Sequence, residues 1–493
     1  MCVGCYRRLP DPVTSAPRCE ACGWPVCRPE CALQPAHRDA ECALFSERGL
    51  RPPVDTFAPG GGPELAYQCV SPIRALLLRA ADPDKFARVW GLMSHNQARR
   101  RQQYWVERHA AVIRYIRTTL GLTQFSEEDI DTVLGIFLVN DFEINAHIGD
   151  EEFSSAGGNA CVRGLYQIAS IPNHDCVANT THTFASLEEG FRMRVTAARD
   201  IAAGEEITHS YVEAQEPFLT RQELLAMGKF FTCACARCSS ATELGTYSSA
   251  LLCPAPGCRA PVITAEPADT RSDWRCTAAG CGKLFPVAKV SNVTGAIKAQ
   301  AERLEYSEQR AEECGVAAHE AFLKKYGSVL HPNHVILIRA KYSLAKMYGR
   351  MAGYEAASLG PDLLDRKRQL CEEVLGVLDT LMPGQVSSHW PPRSRDPVLT
   401  PDWLQARMRG VMLYELHLPL VLAANRQLQL GPGGGADPEK IKANLRRGLQ
   451  CLKQGLDILR LQPEDSFEAK IVAGAKGSLV ELENWVKTIT EAL

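Results

Sequence analysis

The 493-residue sequence lacks long apolar runs, a marked charge imbalance and an apolar leader at its start. No uninterrupted apolar stretch reaches about 18 residues, so the sequence predicts no transmembrane helix and no membrane partner. There are 55 lysine and arginine residues against 57 acidic ones, a net charge of −2, which argues against bulk electrostatic capture of nucleic acid. Because no basic and apolar signal segment opens the chain, we expect an intracellular protein of the cytoplasm or nucleus.

Cysteine, by contrast, is abundant. The chain has 20 cysteines, and most of them fall in tight clusters. In a reducing compartment such thiols persist as metal ligands rather than disulfides, and zinc is the default ion for them. At about 100–200 residues per domain, the length also predicts several domains.

The first cluster contains four pairs of potential ligands, with two to four residues between the members of each pair. The pairs are Cys2 and Cys5, Cys19 and Cys22, Cys27 and Cys31, and His37 and Cys42. Since zinc takes four nitrogen or sulfur ligands, the eight residues predict two tetrahedral sites. Their spacing leaves open whether the pairs combine sequentially or in a crossed arrangement. A segment this short and poor in aliphatic residues would depend on metal binding to fold.

A second cluster has the form of a zinc ribbon. Two cysteine pairs are separated by 17 residues, and proline and glycine residues supply turns within them. The four predicted ligands are Cys253, Cys258, Cys276 and Cys281. The spacing within each pair is one or two residues wider than the commonest type, and it still predicts one zinc ion held between two turns.

The third cluster is one ligand short of a zinc site. Its Cys-x-Cys-x-x-Cys run supplies Cys233, Cys235 and Cys238. The fourth ligand must come from elsewhere in the chain, and Cys176, Cys161 and Cys69 are the candidates.

Hydrophobic periodicity predicts helices on both sides of a region of short strands. Apolar residues recur at helical spacing between Ser71 and Leu138, where Ser126 is typical of a helix N-cap. Alternating segments at 165–171, 191–197 and 207–212 predict small β-sheets.

After Pro286 the pattern is almost wholly helical. Two apolar stripes stand out, one from Leu370 to Leu381 and one from Ile441 to Leu459. The segment around Pro332 predicts a helix entry with Asn333 as the cap. These helices favour a stacked antiparallel array.

Three motifs in the middle of the chain carry a family resemblance. They are Asn173-His174-Asp175-Cys176 followed by Asn179, Gly204-Glu205-Glu206-Ile207-Thr208-His209-Ser210-Tyr211, and the Cys-x-Cys-x-x-Cys run. This ordered set resembles the SET domain and post-SET motif of protein lysine methyltransferases, and the N-terminal ligand order resembles the MYND zinc finger. The whole chain therefore resembles SMYD-type proteins, and its extra ribbon resembles the arthropod SmydA branch.

The resemblance implies an α+β multidomain fold with five parts. It predicts a MYND finger with two zinc ions at 1–42, a helical SET insert at 71–150, the SET core and post-SET motif at 151–240, a zinc ribbon at 250–285 and a TPR-like helical domain at 286–493. In that family the finger usually binds short peptides of partner proteins.

The resemblance also implies how the zinc ligands group. It implies crossed pairing in the finger, which gives one ion to Cys2, Cys5, Cys27 and Cys31 and the other to Cys19, Cys22, His37 and Cys42. It assigns Cys176 as the fourth ligand beside Cys233, Cys235 and Cys238, for about four structural zinc ions in all. The remaining cysteines are expected to be core thiols: Cys69, Cys161, Cys314, Cys371 and Cys451.

For activity, the resemblance implies S-adenosylmethionine-dependent methylation of a lysine side chain on a protein substrate. It assigns the cofactor contacts to Asn140, Asn173, His174 and Phe231, and the catalytic role to Tyr211. Methyl transfer to an amine depends on in-line positioning, and the lysine must be neutral when it attacks. A tyrosine hydroxyl can orient the reactants without carrying charge.

Two features depart from the family pattern. The sequence begins at the first finger ligand, so the Gly-x-Gly segment that SMYD-type proteins carry ahead of the finger is not present in it. Lys229 stands where many relatives have a second active-site tyrosine. The alternative hypothesis is therefore a non-catalytic adaptor or corepressor, in which the finger and the helical array recruit partners around a degenerate SET domain.

Overall fold

The computed structural model describes residues 1–7, 9, 16–52, 65–145, 161–185, 190–309, 315–381, 403–430, 437–460 and 467–492. The chain divides into two compact units. Unit 1 comprises Met1–Pro172, Phe184–Met193 and Met227–Phe230, and unit 2 comprises Asn173–Thr183, Arg194–Ala226 and Phe231–Leu493. The mixture of helices and small sheets agrees with the α+β expectation.

Unit 1 is mainly helical. Its helices are α1 (Pro35–His37), α2 (Ala43–Glu47), α3 (Leu65–Ala81), α4 (Pro83–Trp90), α5 (Asn96–Arg99), α6 (Gln103–Arg114) and α7 (Glu127–Asn140), with a 3₁₀ segment at Pro29–Leu33 and π-helical segments at Arg38–Cys42 and Tyr115–Thr119. Trp24 and Phe45 of the cysteine-rich segment share one buried core with Ile73, Ile116 and Ile130 of the helical layer. The cysteine-rich segment therefore packs directly on the helices of its own unit.

Helix α7 begins as its sequence predicts. The Ser126 hydroxyl accepts a hydrogen bond from the Asp129 backbone N–H at 3.0 Å, and the first turn is acidic. Both features stabilise a helix N-terminus. Beyond Asn140 the chain passes straight into β1 (Asp141–Asn145), which pairs antiparallel with β2 (Cys161–Leu165).

The other strands in the middle of the chain are short. A parallel pair joins β3 (Asn173–His174) to β6 (Thr208–His209), and β4 (Thr180–Phe184) pairs with β5 (Met193–Ala197). The strand expected at 207–212 is thus only two residues long, and the strand expected at 191–197 begins at Met193.

The prediction of a strand at 165–171 is wrong. Strand β2 ends at Leu165, and the chain then turns, with the Ser170 N–H donating to the Tyr166 carbonyl at 2.9 Å. Ile168 and Ile171 are 81% and 68% exposed, so their alternation does not mark a buried sheet face. Alternation predicts a strand only where one face is covered.

A four-stranded antiparallel sheet carries the later cysteine pairs. Its strands are β7 (Leu251–Leu252), β8 (Pro261–Thr264), β9 (Trp274–Cys276) and β10 (Leu284–Phe285), in the spatial order β10-β9-β8-β7. Sequential strands are neighbours, so the sheet is a meander, with the cysteines in its turns and at the end of β9.

The remaining helices belong to unit 2, apart from the last two residues of α8. They are α8 (Phe218–Gly228), α9 (Val287–Gln309), α10 (Val316–Tyr326), α11 (Val335–Met347), α12 (Pro361–Leu381), α13 (Trp403–Leu430), α14 (Pro438–Leu459) and α15 (Phe467–Ala492). The two predicted apolar stripes lie on α12 and α14 and are largely buried, which confirms them.

The cap of α11 differs from the expectation. His334, not Asn333, is the N-cap, and its Nδ1 accepts a hydrogen bond from the Ile336 N–H at 3.2 Å. Asn333 lies in the preceding turn, where its own N–H donates to His331 Nδ1 at 3.2 Å. Burial lowers the pKa of His334 to about 4, so the imidazole stays neutral and can accept.

Three of the expected core thiols, Cys69, Cys371 and Cys451, are buried. The Cys161 side chain and all of Cys314 lie outside the described residues. In the part of the chain that the structure describes, no helix combines the length and apolar character needed to cross a membrane.

Candidate functional site

Among the described residues, potential metal ligands converge in four groups. Within each group the ligand atoms lie within 4.8 Å of one another. The groups are Cys2, Cys5, Cys27 and Cys31; Cys19, Cys22, His37 and Cys42; Cys176, Cys233, Cys235 and Cys238; and Cys253, Cys258, Cys276 and Cys281. We name them the first, second, third and fourth zinc groups.

The sulfur separations fit zinc better than disulfides. Sγ atoms are 3.4 Å apart for Cys5 and Cys27 and 3.7 Å apart for Cys253 and Cys281, far beyond a disulfide bond of about 2.05 Å. A tetrahedron with zinc–sulfur bonds of about 2.3 Å has sulfur–sulfur edges of about 3.8 Å. The donor sets therefore suit a tetrahedral ion with four protein ligands and no open position.

The first two groups interleave along the sequence. The first group takes the first and third ligand pairs, and the second group takes the second and fourth. In the second group, His37 Nε2 lies 3.5 Å from Cys22 Sγ and Cys19 Sγ lies 3.7 Å from Cys42 Sγ. The crossed grouping folds the segment back on itself, so both groups depend on the same loops.

A buried carboxylate supports the second group. Glu41 is fully buried and lies 2.6 Å from Nδ1 of His37, while Arg74 of α3 donates two hydrogen bonds of 2.5 Å to the same carboxylate. Burial raises the pKa of Glu41, but the bonds from Arg74 and His37 outweigh it and hold the pKa below its usual value. The carboxylate is therefore ionised and fixes the ring of His37.

The third group is surrounded by buried charge. Arg221 of α8 donates from Nη2 to Cys238 Sγ at 3.6 Å, and Arg237 lies within the cysteine run itself. Glu243 lies between the two guanidinium groups, at 2.9 Å from Arg221 and 3.0 Å from Arg237. Four thiolates around a divalent ion carry a net charge of −2, so the excess of buried cations compensates the group.

Three ligands of the fourth group lie in turns of the β7–β10 meander, and the other, Cys276, is the last residue of β9. Cys258 Sγ is 3.5 Å from Cys276 Sγ, across the pairing of β8 with β9. Gly257 and Gly282 have φ of +75° and +54°, a backbone conformation that glycine adopts without strain. These turns bring each cysteine pair to one end of the sheet.

Three predicted site residues form an aromatic corner in unit 2. The ring of His174 lies 5.3 Å from that of Tyr211 and 5.9 Å from that of Phe231, centroid to centroid. Tyr211 and Phe231 meet edge to face at 6.4 Å. His174 ends β3 and Tyr211 follows β6, so the parallel pairing of these strands brings them together.

One ring nitrogen of His174 contacts Tyr211, and the other contacts Cys176 of the third zinc group. Its Nδ1 accepts a hydrogen bond from the Tyr211 backbone N–H at 3.0 Å, and its Nε2 lies 3.3 Å from Cys176 Sγ. Burial lowers the pKa of His174 to about 4 and raises that of Tyr211. At neutral pH the imidazole is thus uncharged and the phenol keeps its proton.

The two asparagines of the same motif have different environments. Asn173 is exposed and donates to the Glu206 carboxylate at 2.7 Å. Asn179 is 1% exposed; its side chain accepts from the Thr208 N–H and donates to the Glu206 carbonyl, each at 2.8 Å. Asn179 therefore joins β6 and the turn before it to the start of β4, and Asn173 faces solvent.

Asn140 and Lys229, the remaining residues that the sequence singles out, lie in unit 1. Both hydrogens of the Asn140 amide are used, in bonds of 2.7 Å to the Met93 carbonyl and 2.8 Å to the Ile136 carbonyl, so its Oδ1 is the atom suited to a ligand. Lys229 donates from Nζ to the Val139 carbonyl at 2.5 Å, and burial lowers its pKa. This ammonium caps the C-terminal turn of α7.

Sequence reasoning did not find the polar residues that support the zinc groups. They are Glu41, Arg74, Arg221, Arg237 and Glu243. Glu41 stands four residues after His37, which on a helical turn is a usable signal. Arg221 and Glu243 are distant from one another in sequence, and no local pattern marks them.

Comparison with known proteins agrees with these motifs. A SET domain family profile matches residues 84–212. The chain is 31% identical over 387 residues to SET domain-containing protein SmydA-8, isoform B, of Drosophila melanogaster, which covers 78% of each chain. It is 38% identical over 121 residues to Histone-lysine N-methyltransferase ASHR1 of Arabidopsis thaliana and 31% identical over 122 residues to Protein-lysine N-trimethyltransferase SMYD5 of Gallus gallus; each match covers about a quarter of either chain. The chain therefore belongs to the SMYD-type family of SET-domain methyltransferases, in its arthropod SmydA-like branch.

Proposed function

We propose that this protein is an S-adenosylmethionine-dependent protein lysine N-methyltransferase. The observation that carries the proposal is the aromatic corner of His174, Tyr211 and Phe231 beside the third zinc group. The relatives named as histone-lysine and protein-lysine methyltransferases support the same reaction class.

Asn173, His174 and Phe231 would hold the cofactor. Phe231 is partly buried and offers a ring face for stacking, and the exposed Asn173 offers an amide. When bound, S-adenosylmethionine supplies an electrophilic methyl group.

Tyr211 would orient the substrate amine. Because burial raises the pKa of its phenol, the hydroxyl is neutral at physiological pH and acts as a hydrogen-bonding guide rather than as a base. A free lysine has a pKa of about 10.4, and apolar walls lower it by disfavouring the ammonium. The corner would thus supply position and dehydration, on which methyl transfer depends most.

We assign the other modules of the chain as follows. The first and second zinc groups form a MYND finger, the third is a post-SET site, the fourth is a zinc ribbon, and α9 to α15 form a TPR-like array. The finger would bind short peptides of partner proteins; the exposed side chains of Leu33 and Tyr6 are suited to such a contact. The zinc ions would be structural throughout.

The test combines metal analysis, calorimetry and methyl transfer. Purified protein should contain about four zinc ions and bind S-adenosylmethionine, and Tyr211→Phe should lower transfer to protein lysines without changing the zinc content. Tyr326→Phe is the matched control, because the Tyr326 ring packs on Phe322 within α10. Absence of cofactor binding in zinc-loaded protein would rule out the proposed activity.

A second candidate is a non-catalytic adaptor, and Lys229 favours it. Its side chain is committed to the Val139 carbonyl where the family resemblance predicts a tyrosine. An adaptor would lose partner binding in Cys2→Ser and keep it in Tyr211→Phe. Binding that survives Cys2→Ser would exclude the finger as the recruiting surface.

A further inference from the structure

One imidazole spans the distance between the third zinc group and the tyrosine of the aromatic corner. His174 Nδ1 accepts from the Tyr211 N–H at 3.0 Å, and His174 Nε2 lies 3.3 Å from Cys176 Sγ. We propose that His174 is a positioning residue, whose two ring nitrogens link the Tyr211 backbone to the zinc-bound thiolate of Cys176 through one hydrogen bond each. We call this pair of hydrogen bonds the tie. The proposal rests on the proposed function for its effect on catalysis, while the tie itself is testable without it.

A single neutral tautomer satisfies both contacts. Nδ1 must offer its lone pair to the Tyr211 N–H, so the ring proton resides on Nε2, which faces the Cys176 sulfur. A thiolate bound to zinc keeps negative charge and is a good acceptor for this N–H. The zinc group therefore selects the tautomer that holds Tyr211, much as a metal-binding histidine is oriented by its outer partner.

Strands β3 and β6 are too short to hold Tyr211 by backbone hydrogen bonds alone, which explains why the contact to His174 is needed. Strand β6 ends at His209, and the last bond of its ladder runs from the Asp175 N–H to the His209 carbonyl at 3.1 Å. Tyr211 lies two residues further on, beyond the ladder. The imidazole extends the connection between the two segments by one more hydrogen bond, on a side chain instead of on the backbone.

The rest of the third group is held independently of this tie. Arg221 donates to Cys238, and Gln222 of α8 bonds both the N–H and the carbonyl of Cys233. Loss of His174 should therefore leave the four ligands in place. Loss of the zinc ion, in contrast, should free Cys176 and with it the acceptor of the His174 N–H.

Two conservative variants separate the two contacts. His174→Asn keeps an acceptor near the Nδ1 position and loses the reach to sulfur, whereas His174→Gln keeps an N–H near the Nε2 position and loses the acceptor. His174→Ala loses both. His331→Ala is the matched control, because His331 stacks on Tyr247 in the same unit.

Amide hydrogen exchange of a peptide covering 208–213, together with zinc release to a chelator, provides the readout in the full-length protein. We expect His174→Ala and His174→Gln to exchange about fivefold faster at the Tyr211 amide while zinc is bound, as for the loss of one hydrogen bond. His174→Asn should stay near wild type in exchange but release zinc faster. Removing zinc from the wild type should also raise exchange about fivefold.

Unchanged exchange in zinc-loaded His174→Ala, or in zinc-free wild type, would overturn the tie. Kinetics then give the catalytic consequence: His174→Gln should lower kcat more than it raises KM for the protein substrate, and His174→Asn should recover part of kcat. If the wild type transfers no methyl group, the proposed function fails, and exchange and zinc release still decide the tie. Should His174→Ala not fold, the two conservative variants and the zinc-free wild type carry the same test.

Discussion

The carboxylate of Glu41 lies 2.6 Å from Nδ1 of His37, with both side chains fully buried. This contact fixes the orientation of the His37 ring, so that Nε2 faces Cys22 Sγ and the other ligands of the second zinc group. Arg74 donates to both oxygens of the same carboxylate and also to the Val3 carbonyl at 2.8 Å, next to the first group. One guanidinium of α3 thus supports both N-terminal zinc groups.

Glu41→Gln should weaken zinc binding by the second group. The amide cannot accept two bonds from Arg74 and one from His37 as a charged carboxylate does, and loss of such an outer partner typically lowers metal affinity about 10- to 100-fold. The measurement is competitive zinc release to a chromophoric chelator. Asp39→Asn is the control, because Asp39 is a neighbouring acid that is exposed and forms an ion pair with Arg38. Equal retention in both variants would contradict the role of Glu41.

Glu243→Gln should strongly destabilise unit 2. The substitution leaves Arg221 and Arg237 buried beside one another without the anion between them, and removing one partner of a buried ion pair costs about 3–5 kcal/mol. Denaturant unfolding of the zinc-loaded protein, followed by a probe in unit 2, measures this loss. Glu223→Gln on the exposed face of α8 should change the midpoint little. A small effect of Glu243→Gln would mean that the four thiolates alone balance both arginines.

The sequence predicts best what is local. Ser126 caps α7, and the α12 stripe from Leu370 to Leu381 is buried, because a cap and a helical face depend only on residues a few positions apart. Cysteine spacing likewise indicates pairs of ligands. It does not indicate which pairs combine, since Cys176 and Cys233 are 57 residues apart and only the folded chain brings their Sγ atoms to 4.0 Å.

The predictions that failed did so because they depend on contacts between residues that are distant in the sequence. The segment 165–171 alternates like a strand, but no partner strand covers Ile168 or Ile171. The cap of α11 moves from Asn333 to His334 because a buried neutral imidazole at that position reaches the Ile336 N–H. The second contact of His174, to the backbone of Tyr211, requires the β3–β6 pairing and has no signature in either motif.

Lys229→Met should loosen the end of α7. It removes the donor to the Val139 carbonyl and leaves a partly buried acceptor without that bond, which costs about 1–3 kcal/mol. Hydrogen exchange in peptides covering 130–140 should become faster, while the zinc content stays the same. Lys229→Arg should restore part of the protection, because a guanidinium can donate to the same carbonyl. Unchanged exchange in Lys229→Met would show that α7 ends independently of this lysine.

Acid should destabilise the protein through a histidine pair of unit 2. The rings of His182 and His209 lie 4.6 Å apart; burial lowers their pKa values to about 3 and about 4, and the His209 charge lowers that of His182 further. Each ordinary histidine in the unfolded chain has a pKa of about 6.5, so on acidification the unfolded state takes up protons first. The stability is fully present above pH 6.5 and is lost as the pH falls from there towards 4. At pH 5.5 the loss is about 1.4 kcal/mol for the buried His209.

His182→Phe tests this because it keeps an aromatic ring beside His209 and removes one titrating group. The melting temperature should fall between pH 7.5 and pH 5.5 in both proteins, since zinc thiolates also take up protons in acid. The fall should be smaller in His182→Phe, because that variant has one fewer imidazole that must stay neutral to fold. If the two proteins lose the same stability over this range, His182 is protonated in the folded state and the neutral pair is disproved.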